Sequence, residues 1–263
     1  MLSFDLSNEA YHASAGISKS GLDYILKSPA HFQSYITQPQ ENTTAFLIGS
    51  ATHCAILEPN KMLDRYVVAD IDRRTKEGKA IAKEVEETGK EVLTLSQYDQ
   101  VMGMANAVKK HGKAAEYLSD GYPEVSCFEE YHGVNARARA DWFRRDGVIV
   151  DIKTTEDASP REFSKSCAKY GYHRQEALYR DLFTLAGEEI HTFVFVVVEK
   201  KAPYAVAVYE LDDDSVEFGR SEVQRAISTY RECLAMNEWP GYPDTVQTIS
   251  LPNLEQLKRK YEY

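Results

Sequence analysis

Apolar and polar positions follow two rhythms along the chain. Up to about residue 120 the spacing is mostly helical; beyond it, alternation and short apolar runs take over. Leu22, Ile25 and Leu26 form a stripe at helical spacing, and Ser20 with Asp23 has the form of a capping box, which predicts a helix start. Ser28-Pro29 opens a second short helix. After a polar loop over 39–44, residues 45–57 form an apolar, small-residue helix that Glu58-Pro59 stops. Gly49 and Ala51 would let a neighbour approach that helix closely. A strand over 65–72 is followed by a basic loop over 73–79 and a charged helix through Gly89. Residues 96–119 make one long amphipathic helix, started by Ser96 and Asp99 and softened at Gly112.

The second half predicts strands over 123–131, 136–143 and 148–155, joined by turns at Gly133 and at Arg144-Arg145-Asp146-Gly147. Ser159-Pro160-Arg161-Glu162 starts a helix, and 170–186 is another. The run 191–198 is apolar and β-branched, a central strand covered on both faces. A strand over 205–211, a long helix over 215–237 and an irregular tail with a short helix over 254–261 complete the chain. The expected class is α/β, a mixed central sheet flanked by helices with an N-terminal helical extension. One domain spans 1–263: a mostly helical part over 1–120, a sheet core over 121–238 and a tail over 239–263.

The strand Val148-Ile-Val-Asp-Ile-Lys-Thr-Thr155 carries the clearest chemistry. Asp151 and Lys153 are two apart and share a face, while Val148, Val150 and Ile152 fill the other. A buried acid and ammonium are costly unless paired or bound to something. The turn at Arg144–Gly147 folds Asp141 back beside Asp151, which makes a site for a hard divalent cation. Asp141 shares its face with Arg137 and Arg139, so a plain Arg139–Asp141 surface ion pair is the ordinary alternative. His53 alone is more ordinarily a hydrogen-bonded core residue than a ligand. Ser18 and Ser20 are helix caps or phosphate contacts. Of residues 73–79, five are Arg, Lys or Thr and one is acidic, so phosphate contact competes with a merely solvated face. Gln175 and Tyr179 lie four apart on one helical face, beside Tyr172 and Leu182.

The formal net charge of −10 excludes a uniformly basic nucleic-acid coat but leaves room for a local channel, since 31 Lys and Arg can be concentrated. Four scattered cysteines, Cys54, Cys127, Cys167 and Cys233, form no CxxC pair. That disfavours a zinc ribbon or an iron–sulfur cluster and suits a reducing cytoplasmic setting. No signal pattern or membrane-spanning run is evident, so no membrane partner is expected.

An acid, a hairpin, acid-x-lysine and then a helix with Gln-x-x-x-Tyr resembles the RecB-like branch of the PD-(D/E)xK nuclease superfamily. Asp141, Asp151-Ile152-Lys153 and Gln175-x-x-x-Tyr179 match in order and spacing, with Asp in place of the commoner Glu at the acid-x-lysine. Gly49-Ser-Ala-Thr-His53-Cys-Ala-Ile-Leu-Glu-Pro59, Arg139-Ala-Asp141-Trp142 and Asp151-Ile-Lys-Thr-Thr-Glu-Asp157 resemble the nuclease domain of RecE-type exonuclease VIII over residues 17–243. The resemblance implies a restriction-endonuclease-like core and a metal-dependent exodeoxyribonuclease. Such an enzyme degrades linear double-stranded DNA 5′-to-3′ and leaves 3′ single-stranded tails for recombination. It further implies a phage or prophage setting, a toroidal homo-oligomer (trimer or tetramer) and a RecT-type single-strand annealing partner.

On that basis Asp141, Asp151, His53 and the Ile152 carbonyl would hold one or two Mg²⁺, with Mn²⁺ as a substitute. Glu124 would stand for the helix-borne acid and reach a second ion through water. Lys153 would orient the attacking water. Gln175, Tyr179, Ser18, Lys19, Ser20, Arg73, Arg74, Lys76, Lys79, Arg137 and Arg139 would contact DNA, the last six lining a channel. The alternatives are a RecB-like nuclease that cuts single strands or cuts internally, and a catalytically silent DNA-binding assembly module. The latter would be expected to lack one of Asp141, Asp151 and Lys153. A metal-dependent hydrolase of other substrates would leave Gln175, Tyr179 and the basic loop without a task.

Overall fold

The computed structural model describes residues 1–38, 43–72 and 74–251. Arg73, most of the 39–44 loop and the tail helix expected at 254–261 lie outside them.

Caps and turns decide where the elements begin. After β1 (Leu2–Ser3), Ser7 caps α1 (Asn8–Ala13). Ser18, not Ser20, caps α2 (Lys19–Lys27): its hydroxyl accepts from the Gly21 amide. Ser28 then caps α3 (Pro29–Thr37), with proline in the first turn as expected. Thr43 caps α4 (Thr44–Leu57), which is followed by the short α5 (Met62–Arg65). The strand expected over 65–72 is only β2 (Tyr66–Val68); Thr75 then caps α6 (Lys76–Glu86), taking part of the basic loop into a helix. After β3 (Glu91–Leu93), the single helix expected over 96–119 is two, α7 (Leu95–Lys110) and α8 (Gly112–Tyr117). Thr94 and Gln97 form the capping box of α7, and His111 caps α8.

Then come β4 (Tyr122–Tyr131), β5 (Val134–Arg144) and β6 (Val148–Thr155), with His132 and Gly133 both at positive φ in the first tight turn. A two-helix crossover, α9 (Pro160–Tyr170) and α10 (Tyr172–Leu185), leads to β7 (Thr192–Glu199). β8 (Val206–Tyr209) and α11 (Asp213–Met236) follow. One six-stranded sheet has the order β1-β4-β5-β6-β7-β8, and a small sheet pairs β2 with β3. Only β6 and β7 run parallel in the large sheet, which is why a crossover separates them. The sheet is therefore mixed and helix-flanked, as expected. The N-terminal part, read as mostly helical, also supplies edge strand β1, whose two residues are too few to carry an alternation signal.

Each face of the sheet covers its own core. Ile149, Phe193, Phe195 and Val197 pack with Leu178, Leu182 and Phe183 of α10 and Val223 and Ile227 of α11. Val148, Val150, Ile152, Val194, Val196 and Val198 pack on the other side with Leu57 of α4 and Met104 and Val108 of α7. β6 is thus buried on both faces, and Asp151, 1% exposed, belongs to the face that carries Ile149. Among the described residues no helix is long and apolar enough to cross a membrane.

Candidate active site

The site lies where β5 and β6 part. Their pairing ends at Trp142 with Val150. The next available amide on β6, that of Ile152, donates instead to the Asp141 carboxylate at 2.7 Å. A side chain thus completes a ladder position the backbone has left, which fixes Asp141 in the fork. β4 is irregular opposite it: Glu124 has φ +55° and makes no ladder pair, although the register on either side, Pro123–Trp142 and Val125–Ala140, is continuous and sets it opposite Asp141. A bulky residue at positive φ is unfavourable, and such strain collects where a side chain must be aimed. Here it brings Glu124 to Asp141.

From above the fork, α4 lays His53 over the same point, with Nδ1 3.4 Å from Asp141 Oδ2. Ligand atoms of His53, Glu124 and Asp141 all lie within 4.8 Å of one another. Gly49, one turn earlier on that helical face, sits over Thr154. A Cβ there would be 4.0 Å from Thr154 Oγ1, so the approach does not demand glycine.

On the opposite face, Asp151 forms an ion pair with Lys153, and one oxygen accepts from the Gln175 side-chain amide. Lys153 Nζ donates to Gln175 Oε1 at 3.0 Å and stands 4.5 Å from the centre of the Tyr172 ring. The buried Oδ2 of Asp151 is the oxygen that faces the Lys153 ammonium in that ion pair.

The electrostatics follow from crowding. Burial, then repulsion from Asp151, pushes the Asp141 carboxyl well above the carboxylate range. Burial and Asp141 push Glu124 up to about 7. Burial lowers the His53 pKa, which keeps the imidazole neutral and able to ligate. Its 3.4 Å approach to Asp141 is therefore not an ion pair at neutral pH. Burial disfavours the Lys153 ammonium, but Asp151 and Asp141 outweigh it and hold its pKa above the ordinary value. Lys153 is a held cation rather than a base. Burial also keeps the Tyr179 phenol, close enough to feel both aspartates, protonated.

The donor set fits a divalent cation. It offers carboxylate oxygens and one neutral imidazole, and burial, with repulsion from a neighbouring aspartate, raises the pKa of Asp141 and Glu124 in the absence of a cation. Asp151 adds a further buried carboxylate in the same neighbourhood, one that is paired with Lys153.

The expected convergence of His53, Asp141 and Asp151 takes a different form here. His53, Asp141 and Glu124 form the tight group, and Asp151 turns to the lysine two residues on. Ile152 meets Asp141 through its N–H. Gln175, expected on DNA, has its amide occupied by Asp151 and Lys153 and is 8% exposed. Arg139 is buried, with its guanidinium on the Leu6, Ser7 and Glu124 carbonyls and, at 3.1 Å, on the Glu124 carboxylate. Arg137 holds the Tyr11, His12 and Ser14 carbonyls. Both guanidinia sit over the Tyr11 ring, at 5.1 and 5.0 Å. Neither arginine is free to line a channel; together they pin the N-terminal segment behind Asp141 and Glu124.

Lys19 pairs with Asp23 at 2.7 Å and donates to the Tyr170 carbonyl. Ser18 caps its helix, Ser20 is exposed, and Arg74 pairs with Asp72 at 3.0 Å. Lys76 and Lys79 are exposed on α6, which packs on β3. Tyr11 was missed by sequence reasoning because a lone tyrosine in a short polar helix gives no signal. Tyr172 gave one, being on the Gln175 face.

Residues 18–252 match the family model of a PDDEXK-like domain of unknown function, DUF3799. The chain belongs to this family. A solved structure of a candidate exonuclease from Eubacterium rectale is similar to this PDDEXK-like domain over 92% of its chain and 97% of that one, with a TM-score of 0.61 at 16% identity. A second solved structure, named SSO0001, covers 73% of this chain and 87% of that one at 16% identity, with a TM-score of 0.32. No curated protein matches the sequence. At these identities the Eubacterium rectale likeness bears on the fold, which is that of a restriction-endonuclease-like core. Family, fold and the carboxylate–lysine fork together support a nuclease with a divalent-metal site.

Proposed function

We propose that this PDDEXK-like domain is a Mg²⁺-dependent exodeoxyribonuclease that degrades linear duplex DNA 5′-to-3′ and leaves 3′ single-stranded tails. The observation that supports it most is the fork itself. Asp141 is held by the Ile152 amide between β5 and β6, with His53 and Glu124 on one side and Asp151, Lys153 and Gln175 on the other. The name of the Eubacterium rectale protein points the same way.

Asp141, Glu124 and neutral His53 would hold the cation, with Asp151 and the Ile152 carbonyl beside them. A divalent cation bound there supplies charge neutralisation at the scissile phosphate and acidifies a bound water. Lys153 contributes a fixed ammonium at Nζ. Gln175 and Asp151 keep it aimed, and its raised pKa keeps it protonated, so it neutralises phosphate oxygens and orients the attacking water. Gln175 positions that lysine. Tyr179 stays protonated near both aspartates and would offer its hydroxyl to the strand. Duplex polarity, a ring of three or four copies and a RecT-type partner belong to this proposal and rest on the resemblance.

Digestion of end-labelled linear and closed circular duplexes with Mg²⁺ tests it. Wild type should shorten the linear substrate from its 5′ ends and spare the circle. Cutting of the circle would favour an internal nuclease. Full activity in Lys153→Ala would remove the fork from the mechanism.

A further inference from the structure

Beyond the fork, β6 runs on into a cleft of about 390 Å³ between the end of that strand and α9. Lys153 stands at its inner end. From there an aromatic path leads outward. The Lys153 ammonium lies 4.5 Å from the Tyr172 ring, and Tyr172 stacks on Tyr170 with ring centres 5.9 Å apart. Tyr170 is 49% exposed, and Lys169 Nζ stands 5.1 Å from the centre of its ring.

The ring is firmly mounted. Tyr170 ends α9, Gly171 takes the left-handed cap conformation at φ +65°, and Lys19 of α2 donates to the Tyr170 carbonyl. The acids of the cleft are engaged: Glu156 with Lys200 and Lys201, Glu162 with Lys165, and Asp157 with the Ser159 amide. Among the described residues Lys169 has no carboxylate partner.

Size, aromatics and charge point to one kind of occupant. The volume lies in the roughly 300–1,000 Å³ range of clefts that bury one small ligand, which suits a single nucleotide and excludes a duplex. An exposed tyrosine backed by a second ring is a stacking platform for any base, and the Lys169 ammonium over that ring, with no carboxylate partner among the described residues, suits a phosphate once a base displaces it from the ring. We propose that this cleft takes one unpaired nucleotide of the strand being cut, its base stacked on Tyr170 and an adjoining phosphate against Lys169. This rests on the nuclease reading. It adds that the strand is separated from its complement for at least one nucleotide beside the fork.

The test uses a linear duplex with 2-aminopurine at the last nucleotides of either strand, in Ca²⁺ to hold back cutting, with digestion in Mg²⁺ measured in parallel. Wild type should quench the fluorescence at one end position. Tyr170→Ala should lose the quench and bind about 5- to 100-fold more weakly, while Tyr170→Phe keeps both, since either aromatic ring can stack. Lys169→Ala should flatten the slope of log affinity against log salt by about 0.7. Wild-type binding, quenching and salt slope in Tyr170→Ala and Lys169→Ala would overturn the assignment while leaving a cutting enzyme intact. Wild type that neither binds nor cuts DNA would overturn the nuclease reading and this one with it.

Discussion

On the α4 side of the fork, Asp141 and Glu124 crowd each other beside a neutral imidazole, and both are pushed toward holding protons. On the α10 side, Asp151 has Lys153 against it and Gln175 bridging the two. In the first group Arg139 meets the Glu124 carboxylate, while Asp141 faces only the neutral His53; the second is nearly balanced. Carboxylates in the same neighbourhood are thus prepared for different work, one set to receive a cation and the other to aim a lysine. The difference arises from which strand and which face each residue occupies, not from residue type.

The largest expected effect is on turnover. Asp141→Asn should slow DNA cutting by about 10³-fold or more, yet without divalent cations it should melt no lower than wild type, because the buried carboxyl already tends to hold a proton and an amide oxygen can still accept from Ile152. A melting loss as deep as that of Asp151→Asn would break the contrast.

Asp151→Asn should behave oppositely in stability. It leaves the Lys153 ammonium, 16% exposed, without its anion, and a buried charge stripped of its partner costs about 3–5 kcal/mol. Urea unfolding in the absence of metal measures this.

A smaller effect comes from the cation. Mn²⁺ or Mg²⁺ at about 100 times its dissociation constant should stabilise wild type by about 2.7 kcal/mol. The gain should vanish in Asp141→Asn and persist in Tyr170→Ala. Loss of it in Tyr170→Ala would move the cation site away from the α4 side.

The smallest effect concerns a carboxylate outside both groups. Glu176, next to Gln175 on α10, is fully buried. Burial raises its pKa to about 7 against the pull of Arg180. The folded chain then keeps this proton while the unfolded chain releases it from about pH 4.5 upward. The contribution to stability therefore falls as pH rises between those values and is level above about 7. Glu176→Gln should remove that slope and be the more stable form at pH 8 by on the order of 1–3 kcal/mol. An unchanged slope would place the titration elsewhere.

Much of this was legible in the sequence, and the reasons differ by element. β6 declared itself because an acid and a lysine two apart in an apolar run can only share a face. Asp141 followed from the short turn that folds it back. Glu124 was legible only by its order in the chain; its positive φ is a backbone feature that no local pattern records. Arg137 and Arg139 suggested a DNA channel because alternation gives a face but not what covers it. The cover is the N-terminal segment, which supplies five backbone carbonyl contacts to them. Two of those contacts involve Leu6 and Ser7, residues between elements that carry no signal of their own. Likewise Gln175 stood out by its spacing, but spacing alone could not tell a DNA contact from the bridge between Asp151 and Lys153.

The central claim is that a divalent cation sits in the fork between β5 and β6. Anomalous diffraction from crystals of the wild-type protein soaked in Mn²⁺ locates it directly. The account predicts a peak at bonding distance, about 2.1–2.2 Å, from the Asp141 carboxylate, with His53 or Glu124 as a second ligand. A peak bound away from Asp141, or none at saturating Mn²⁺, would contradict it.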